Sequence, residues 1–186
     1  MRCFVAFDLP RPVCNHLAKV TGPLQDRFDV RWVPPEQMHV TTLFAGDVDA
    51  GAVEALAEQV ESCELPAVTL HLEQLGVFPP RGIPRLVWAG LGGDVDLLRA
   101  ARERFEATAE PLGVARDKRA FTPHVTLGRV KSPFGVLALI DQLAERSSDL
   151  NRKPFSAASL TLYESRLTPR GPRYEVIARQ AVGGSV

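Results

Sequence analysis

The most informative absences in this sequence of 186 residues concern long apolar runs and cysteine. No stretch approaches the ~18 consecutive apolar residues of a membrane-spanning helix, and the N-terminus lacks the charged region, apolar core and cleavage site of a secretory signal. The three cysteines, Cys3, Cys14 and Cys63, are odd in number and show no Cys-x-x-Cys spacing, so they predict neither a disulfide framework nor a zinc site. We therefore expect a soluble cytoplasmic protein without membrane contact, whose thiols are reduced and mainly buried.

Net charge and the common nucleotide-binding motifs are also absent. Basic and acidic residues number 22 each, so the formal net charge of zero argues against a protein that wraps long nucleic acid by charge alone. The chain contains no Gly-x-Ser-x-Gly nucleophile elbow, no Gly-x-x-x-x-Gly-Lys phosphate loop and no Gly-x-Gly-x-x-Gly dinucleotide motif. No lysine lies in a Lys-x-Asp-Gly motif, which disfavours an ATP-dependent ligase. No cofactor is predicted.

The charge that is present is unevenly distributed. Residues 1–93 sum to −4 and residues 94–186 sum to +4. The segment 116–131 carries a single acidic residue, Asp117, among five basic ones: Arg116, Lys118, Arg119, Arg129 and Lys131. A positive rim suits a small anionic substrate or the end of a nucleic acid, although ordinary solvated surface charge explains it equally well.

Apolar periodicity predicts an α+β fold. Strand-like alternation occurs at 2–9, 30–33, 38–44, 68–75, 85–91, 121–130, 155–167 and 174–181, and helical stripes lie within 13–24, 53–60, 98–112 and 136–143. The irregular loop 76–84 carries three prolines and is a candidate join between two halves. With 45% hydrophobic residues, the chain can bury one core, so we expect residues 1–186 to form a single domain with two lobes.

One tripeptide occurs twice, as His39-Val40-Thr41 and His124-Val125-Thr126, and the two copies lie 85 residues apart within predicted strands. Because side chains of a strand alternate between faces, the His and Thr of each copy point the same way. We interpret the repeat as an internal duplication that gives a pseudo-twofold fold and brings both histidines to one groove. His16 and His71 have no Thr two residues later and serve as internal controls.

The paired motifs have chemical and purely structural interpretations. Two imidazoles can supply an acid and a base, and two hydroxyls can donate to phosphate oxygens, which suffices to cleave a phosphoester without a metal. Metal binding fits less well, because no Asp, Glu or Cys accompanies the histidines at ligand spacing. One His-x-Thr alone would be typical of a partly polar sheet surface.

The motifs and their surroundings resemble the two-histidine phosphoesterase superfamily, in particular its LigT-like branch of RNA 2′,3′-cyclic phosphodiesterases. The similarity covers most of the chain and includes the segments 2–6, 31–33, 39–42, 76–79, 85–90, 121–129 and 162–165, together with Gly171 and Tyr174. Two positions depart from the family pattern. Thr42 replaces a commonly apolar residue, and Gly128 stands where Ala is frequent before Arg129.

The resemblance implies a two-lobed, pseudo-twofold α+β fold whose antiparallel sheets line a central cleft with helices outside. It implies metal-independent opening of a terminal 2′,3′-cyclic phosphate on RNA to a 2′-phosphate, with His39 as proton donor and His124 as proton acceptor. Sequence alone does not fix that order. Thr41, Thr126 and Arg129 are expected to bind the phosphate.

The expected partners are RNA 3′ ends or small cyclic nucleotides, and the protein is expected to be a monomer. Four aromatic residues are candidates for stacking on the terminal base: Phe7, Phe44, Phe121 and Tyr163. Two alternatives stay open. The same cleft can act on another cyclic or 2′,5′-linked phosphodiester, including the joining of RNA ends, or the chain can be a non-catalytic module that binds RNA ends or nucleotides.

Overall fold

The chain alternates between two antiparallel sheets. The computed structural model describes residues 1–169 and 171–183. Its helices are α1 (Arg11–Thr21), α2 (Ala50–Glu61), α3 (Val95–Ala109) and α4 (Val136–Arg146). Its strands are β1 (Arg2–Asp8), β2 (Val30–Trp32), β3 (His39–Asp47), β4 (Thr69–Phe78), β5 (Leu86–Gly93), β6 (His124–Val130), β7 (Phe155–Ser156), β8 (Ser159–Thr168) and β9 (Gly171–Ala181).

The first sheet has the strand order β3-β1-β8-β9, and the second has the order β2-β6-β5-β4-β7. All their pairings are antiparallel. Helix α2 packs on β8 and β9, α3 packs on α2 and β3, α4 packs on β4, and the two sheets meet where β3 contacts β6. This arrangement confirms the predicted α+β fold with sheets around a cleft and helices outside.

The burial of each element explains its position. Strand β1 has five consecutive buried residues, as expected for an internal strand covered on both faces, and it lies between β3 and β8. On α3, Leu98 and Phe105 are fully buried at helical spacing. The three cysteines are free and buried, as predicted. In the described part of the chain no helix is long and apolar enough to cross a bilayer.

Two predictions are wrong, namely the role of the loop 76–84 and the end of the third helix. The loop 76–84 does not join two halves, because β4 and β5 pair directly and the amide of Arg85 donates to the carbonyl of Phe78, which closes a hairpin within one sheet. Strand β2 pairs with β6, so the second sheet takes a strand from the first part of the sequence. Helix α3 ends at Ala109, ahead of Leu112, which is exposed.

The predicted strand 155–167 is two strands in different sheets. The amide of Ala157 donates to the carbonyl of Val68 beside the second sheet, and the amide of the next residue, Ala158, donates to the carbonyl of Asp8 in the first. Apolar periodicity continues across this crossover because both sheets bury their residues in the same way.

Candidate active site

The two motif strands contain the same β-bulge at the same position. Across β1 and β3, Ala6 pairs with Thr41 and Val5 pairs with Leu43, so Thr42 is the extra residue. Across β5 and β6, Trp88 pairs with Thr126 and Val87 pairs with Gly128, so Leu127 is the extra residue. The residue after each His-x-Thr is therefore a bulged, buried residue.

Each bulge changes the face on which later residues lie. Strict alternation places the residue five positions after each histidine on the opposite face, whereas one inserted residue returns it to the histidine face. These residues are Phe44, whose exposure is 68%, and Arg129, which is also exposed. Phe44 and Arg129 are thus equivalent positions in the two motifs.

The local contacts of Thr42 and Gly128 explain both departures from the family pattern. The buried hydroxyl of Thr42 donates to the carbonyl of Val5 at 3.1 Å, so the polar group at this apolar position is satisfied. A Cβ on Gly128 would lie 2.5 Å from Cγ1 of Val30, so β2 packs too closely for alanine without a local shift.

Both imidazoles are held by the same backbone contact. Nδ1 of His39 lies 2.7 Å from the carbonyl oxygen of Gln37, and Nδ1 of His124 lies 2.7 Å from that of Thr122. A carbonyl only accepts, so each Nδ1 carries the proton and donates it. The neutral form of each ring therefore presents an unprotonated Nε2, the atom that can take or give a proton.

The two histidines share one electrostatic environment. Strands β3 and β6 contact each other, and the charge of His124 is one of the causes that lower the pKa of His39. The structure thus brings the two predicted residues together across the cleft.

Burial is the largest influence on both imidazoles, and it lowers the pKa of each below its ordinary value. The carbonyl of Gln37 and the negative charge of Asp8 act in the opposite direction and raise the pKa of His39. For His124 the opposing influence is the carbonyl of Thr122. A carboxylate therefore favours the protonated form on the His39 side.

Aromatic rings fix the orientation of both histidines. Phe4 stacks on His39 with centroids 4.9 Å apart, and Tyr174 meets His39 edge-on at 5.5 Å. Phe78 meets His124 edge-on at 5.2 Å. None of these three rings was predicted from sequence as a neighbour of the histidines.

The predicted phosphate ligands are available for a substrate. Thr41 and Thr126 are half-buried, and across residues 1–169 and 171–183 neither hydroxyl has a hydrogen-bond partner in the protein. The charge of Arg129 is one of the causes that lower the pKa of Tyr174, which places this arginine near the ring that contacts His39, although burial dominates and raises the pKa of Tyr174 overall.

The four candidate stacking residues have different environments. Phe7 is fully buried, so that candidate is wrong. Phe121 is partly buried beneath the guanidinium of Arg102, and the hydroxyl of Tyr163 donates to Asp8 at 2.6 Å. Only Phe44 among the four exposes most of its ring.

The controls and the basic segment are largely engaged elsewhere. Nε2 of His16 accepts from the amide of Asn151 at 2.8 Å, and Nε2 of His71 lies 3.7 Å from a carboxylate oxygen of Glu73. In the basic segment, Arg116 pairs with Glu110 and Arg119 pairs with Asp117. Ion pairs therefore neutralise part of the positive rim that the sequence suggests.

Residues 9–168 match the family described as the 2′-5′ RNA ligase superfamily. The chain belongs to this superfamily. It is 31% identical over 180 residues to an RNA 2′,3′-cyclic phosphodiesterase of Methanocaldococcus jannaschii, covering 95% of this chain and 98% of that protein. It is 32% identical over 148 residues to an RNA 2′,3′-cyclic phosphodiesterase of Aeropyrum pernix, covering 80% of this chain and 84% of the relative.

Solved structures share the fold over almost the whole chain. A crystal structure of a Thermus thermophilus protein superposes with a TM-score of 0.79 at 25% identity, covering 100% of both chains. Escherichia coli LigT in complex with 3′-AMP superposes with a TM-score of 0.75 at 23% identity, covering 98% of both chains.

In this member of the 2′-5′ RNA ligase superfamily, several hydrogen bonds hold the carboxylate of Asp8 beside His39. Asp8 pairs with His39 across β1 and β3 and accepts hydrogen bonds from Ser159, Thr161 and Tyr163 at 2.6, 2.7 and 2.6 Å. Sequence reasoning missed it because its partners lie more than 150 residues away, although its even-numbered spacing from Phe4 along β1 was a usable signal.

Metal binding has no further support in side-chain geometry. Within the described ranges, no group of three or more His, Cys, Asp and Glu side chains is arranged to hold a metal ion.

Proposed function

We propose that this chain hydrolyses the 2′,3′-cyclic phosphate at the 3′ end of RNA and leaves a 2′-phosphate. The observation that carries the proposal is the equivalence of the two motifs. Each presents an Nε2 on a ring that is held through Nδ1, and each presents a threonine hydroxyl that has no hydrogen-bond partner among the described residues. The similarity to curated RNA 2′,3′-cyclic phosphodiesterases over most of the chain points to the same reaction.

The proposed reaction is an in-line displacement at phosphorus. Neutral His124 removes a proton from water as the water oxygen attacks, and protonated His39 donates its Nε2 proton to O3′ as the P–O3′ bond breaks. The O2′–P bond remains, so the product is a 2′-phosphate with a free 3′-hydroxyl. Thr41, Thr126 and Arg129 donate to the non-bridging oxygens, where negative charge accumulates.

The surroundings of the histidines support this order of roles. The carboxylate of Asp8 stabilises a charged His39 and offsets part of the burial that lowers the pKa of this ring, which suits the proton donor. Burial lowers the pKa of His124, and the hydrogen bond to the Thr122 carbonyl offsets only part of this effect. A lowered pKa suits a base that must be neutral.

The test is incubation with an oligonucleotide that ends in a 2′,3′-cyclic phosphate, followed by identification of the product phosphate by phosphorus NMR. We expect a 2′-phosphate, and we expect the same rate in the presence of EDTA. A 3′-phosphate would contradict the assignment of O3′ as the oxygen that leaves phosphorus. Loss of activity in EDTA with recovery on adding a divalent metal would indicate a metallophosphoesterase, and binding without turnover would indicate a non-catalytic RNA-end module.

The family description favours a second candidate reaction, the joining of RNA ends. If a 5′-hydroxyl of a second RNA replaces water, the same displacement at phosphorus forms a 2′-5′ phosphodiester and releases O3′. Supplying a 5′-hydroxyl oligonucleotide at high concentration tests this, since a 2′-5′-linked product would appear alongside the 2′-phosphate.

The remaining proposals concern setting and assembly. We propose RNA 3′ ends or small cyclic nucleotides as partners, a monomer as the working form and the cytoplasm as the location. The first follows from the proposed chemistry, and the monomer is testable by light scattering.

A further inference from the structure

A cavity of about 550 Å³ adjoins His39 on the side of the first sheet. Its lining includes Asp8 and Arg11 at the junction of β1 and α1, Tyr163 of β8, and Arg173 and Arg179 of β9. This volume lies within the ~300–1,000 Å³ range of small-ligand pockets. Of this lining, only His39 takes part in the proposed proton transfers, while Asp8 and Tyr174 surround its ring.

The charges balance in the part of the lining formed by Asp8, Tyr163 and Arg179, which we call the floor. Asp8 accepts from three hydroxyl groups, and Nε of Arg179 lies 3.5 Å from the Asp8 carboxylate. Nε of Arg179 also donates to the hydroxyl of Thr161 at 3.1 Å. The charges of Asp8 and Arg179 therefore largely compensate each other and leave no carboxylate of the floor to repel an anion.

The rest of the lining, which we call the wall, includes two arginines whose charges are not compensated by an ion pair with any described residue. Arg11 and Arg173 are exposed, and in the portion of the chain that the structure describes neither has a carboxylate within ion-pair distance. The lining contains one further acid, Glu36, which is also exposed. The wall therefore carries net positive charge and unused guanidinium donors, the groups that suit a phosphate.

The proposed reaction places part of the substrate on this side. His39 protonates O3′, so the ribose that carries O3′ is attached to phosphorus on the His39 side of the cleft. In an RNA chain the O5′ of that ribose bears the next phosphate upstream. A second phosphate of the substrate thus lies on the side where the structure has a positively charged cavity.

We propose that this cavity binds the phosphate on the 5′ side of the terminal nucleotide through Arg11 and Arg173. The inference rests on the proposed function and narrows its substrate class to RNA ends and 5′-phosphorylated nucleotides rather than cyclic mononucleosides. The competing hypothesis is that the upstream phosphate lies beside the second sheet, where Arg85 and Arg129 are exposed.

The experiment compares adenosine 2′,3′-cyclic phosphate with and without a 5′-phosphate, and then the cyclic-ended dinucleotide ApA. All three probes share the reacting group. The first two differ only in the 5′-phosphate, and the dinucleotide carries that phosphate as a diester to a second adenosine. We expect kcat/KM to be higher when the phosphate is present, with a ratio on the order of tenfold for two charge-assisted contacts at an exposed site. The ratio falls as salt rises, since the contacts are ionic.

Arg11→Gln and Arg173→Gln should each reduce this ratio several-fold by lowering kcat/KM for the phosphorylated probes more than for the plain one. Arg85→Gln is the matched control, because Arg85 is an exposed arginine that directly precedes β5 of the second sheet, and this variant should leave the ratio unchanged. Circular dichroism and thermal melting check that each variant folds.

Three results would overturn the inference: an equal kcat/KM for all probes, an unchanged ratio in both cavity variants, or a ratio reduced by Arg85→Gln instead. Each leaves hydrolysis of the cyclic phosphate itself intact. Failure of the proposed function looks different, because no probe would then be turned over.

Discussion

The strand that carries His39 and the strand that carries His124 have the same backbone but different surroundings. Both have a bulge after the His-x-Thr, and both hold the imidazole through an Nδ1 hydrogen bond to the carbonyl two residues earlier. Around His39 lie Phe4, Tyr174 and the hydrogen-bonded carboxylate of Asp8. In contrast, His124 has Phe78 as a neighbour and the exposed Arg129 on its own strand. A shared backbone holds two similar imidazoles, and in the proposed mechanism their neighbours distinguish the acid from the base.

Removing either histidine should have the largest effect on kcat, because the proposed mechanism needs both imidazoles. We expect His39→Ala and His124→Ala to reduce kcat by about 10²- to 10⁴-fold, the usual contribution of a positioned acid or base. The matched variants His16→Ala and His71→Ala should change kcat little. The measurement is steady-state hydrolysis of a cyclic-ended oligonucleotide. Equal losses in all four variants would mean that the substitutions act through folding.

The two equivalent bulge positions should affect different kinetic constants. Arg129→Ala should lower kcat by roughly 10- to 100-fold, since a charge-assisted hydrogen bond to the reacting phosphate contributes about 1.5–3 kcal/mol. Phe44→Ala should mainly raise KM, on the order of tenfold, if the exposed ring stacks on a base. Full kinetics on one substrate separates the two effects. A loss of kcat without a change of KM for Phe44→Ala would contradict a binding role for this ring.

The pH dependence sharpens the difference between the histidines. The proposed mechanism requires one neutral and one protonated imidazole, so the pH profile of kcat/KM should be bell-shaped. Because burial lowers the pKa of both rings, the maximum of this profile should lie below the ordinary His value of about 6.5. His124→Ala should remove the acidic limb from the residual activity, and His39→Ala should remove the basic limb. Limbs lost in the opposite order would reverse the two roles.

Asp8→Asn tests the source of the asymmetry. Loss of the negative charge removes an influence that raises the pKa of His39, so protonated His39 persists only to lower pH and the basic limb moves to lower pH. We expect a several-fold loss of kcat/KM near neutral pH and little change at the acidic limb. Asp141→Asn, an exposed aspartate on α4, is the control. An unmoved basic limb would show that Asp8 acts only as a structural acceptor.

The smallest effect on activity should come from Gly128→Ala, which perturbs one bulge and spares the other. Its Cβ would meet Val30 at 2.5 Å, so we expect a destabilisation of roughly 1–3 kcal/mol and a Tm lower by a few degrees. Gly22→Ala is the control, because nothing lies within 4 Å of its added Cβ. An unchanged Tm for Gly128→Ala would mean that β2 shifts at no cost.

The local part of the site was predictable from sequence, and the long-range part was not. Period-two alternation placed His39 and Thr41 on one face of a strand, and the structure confirms the strand and the half-exposed pair. Alternation could not reveal that Arg129 returns to the face of His124, because a bulge is fixed by pairing with a partner strand. The contacts of Asp8 depend on β8, which is more than 150 residues away, and no local pattern encodes that pairing. The duplication of the chain remains a prediction, to which the shared bulge adds support.

The crossover at Ala157 and Ala158 restrains the position of one sheet relative to the other. Consecutive amides of one dipeptide are bonded to different sheets, so the sheets cannot move apart here without losing a backbone hydrogen bond. The separation between the two imidazoles is then largely set before any RNA arrives. We expect a rigid, preorganised catalyst in which substrate entry does not wait for the lobes to close.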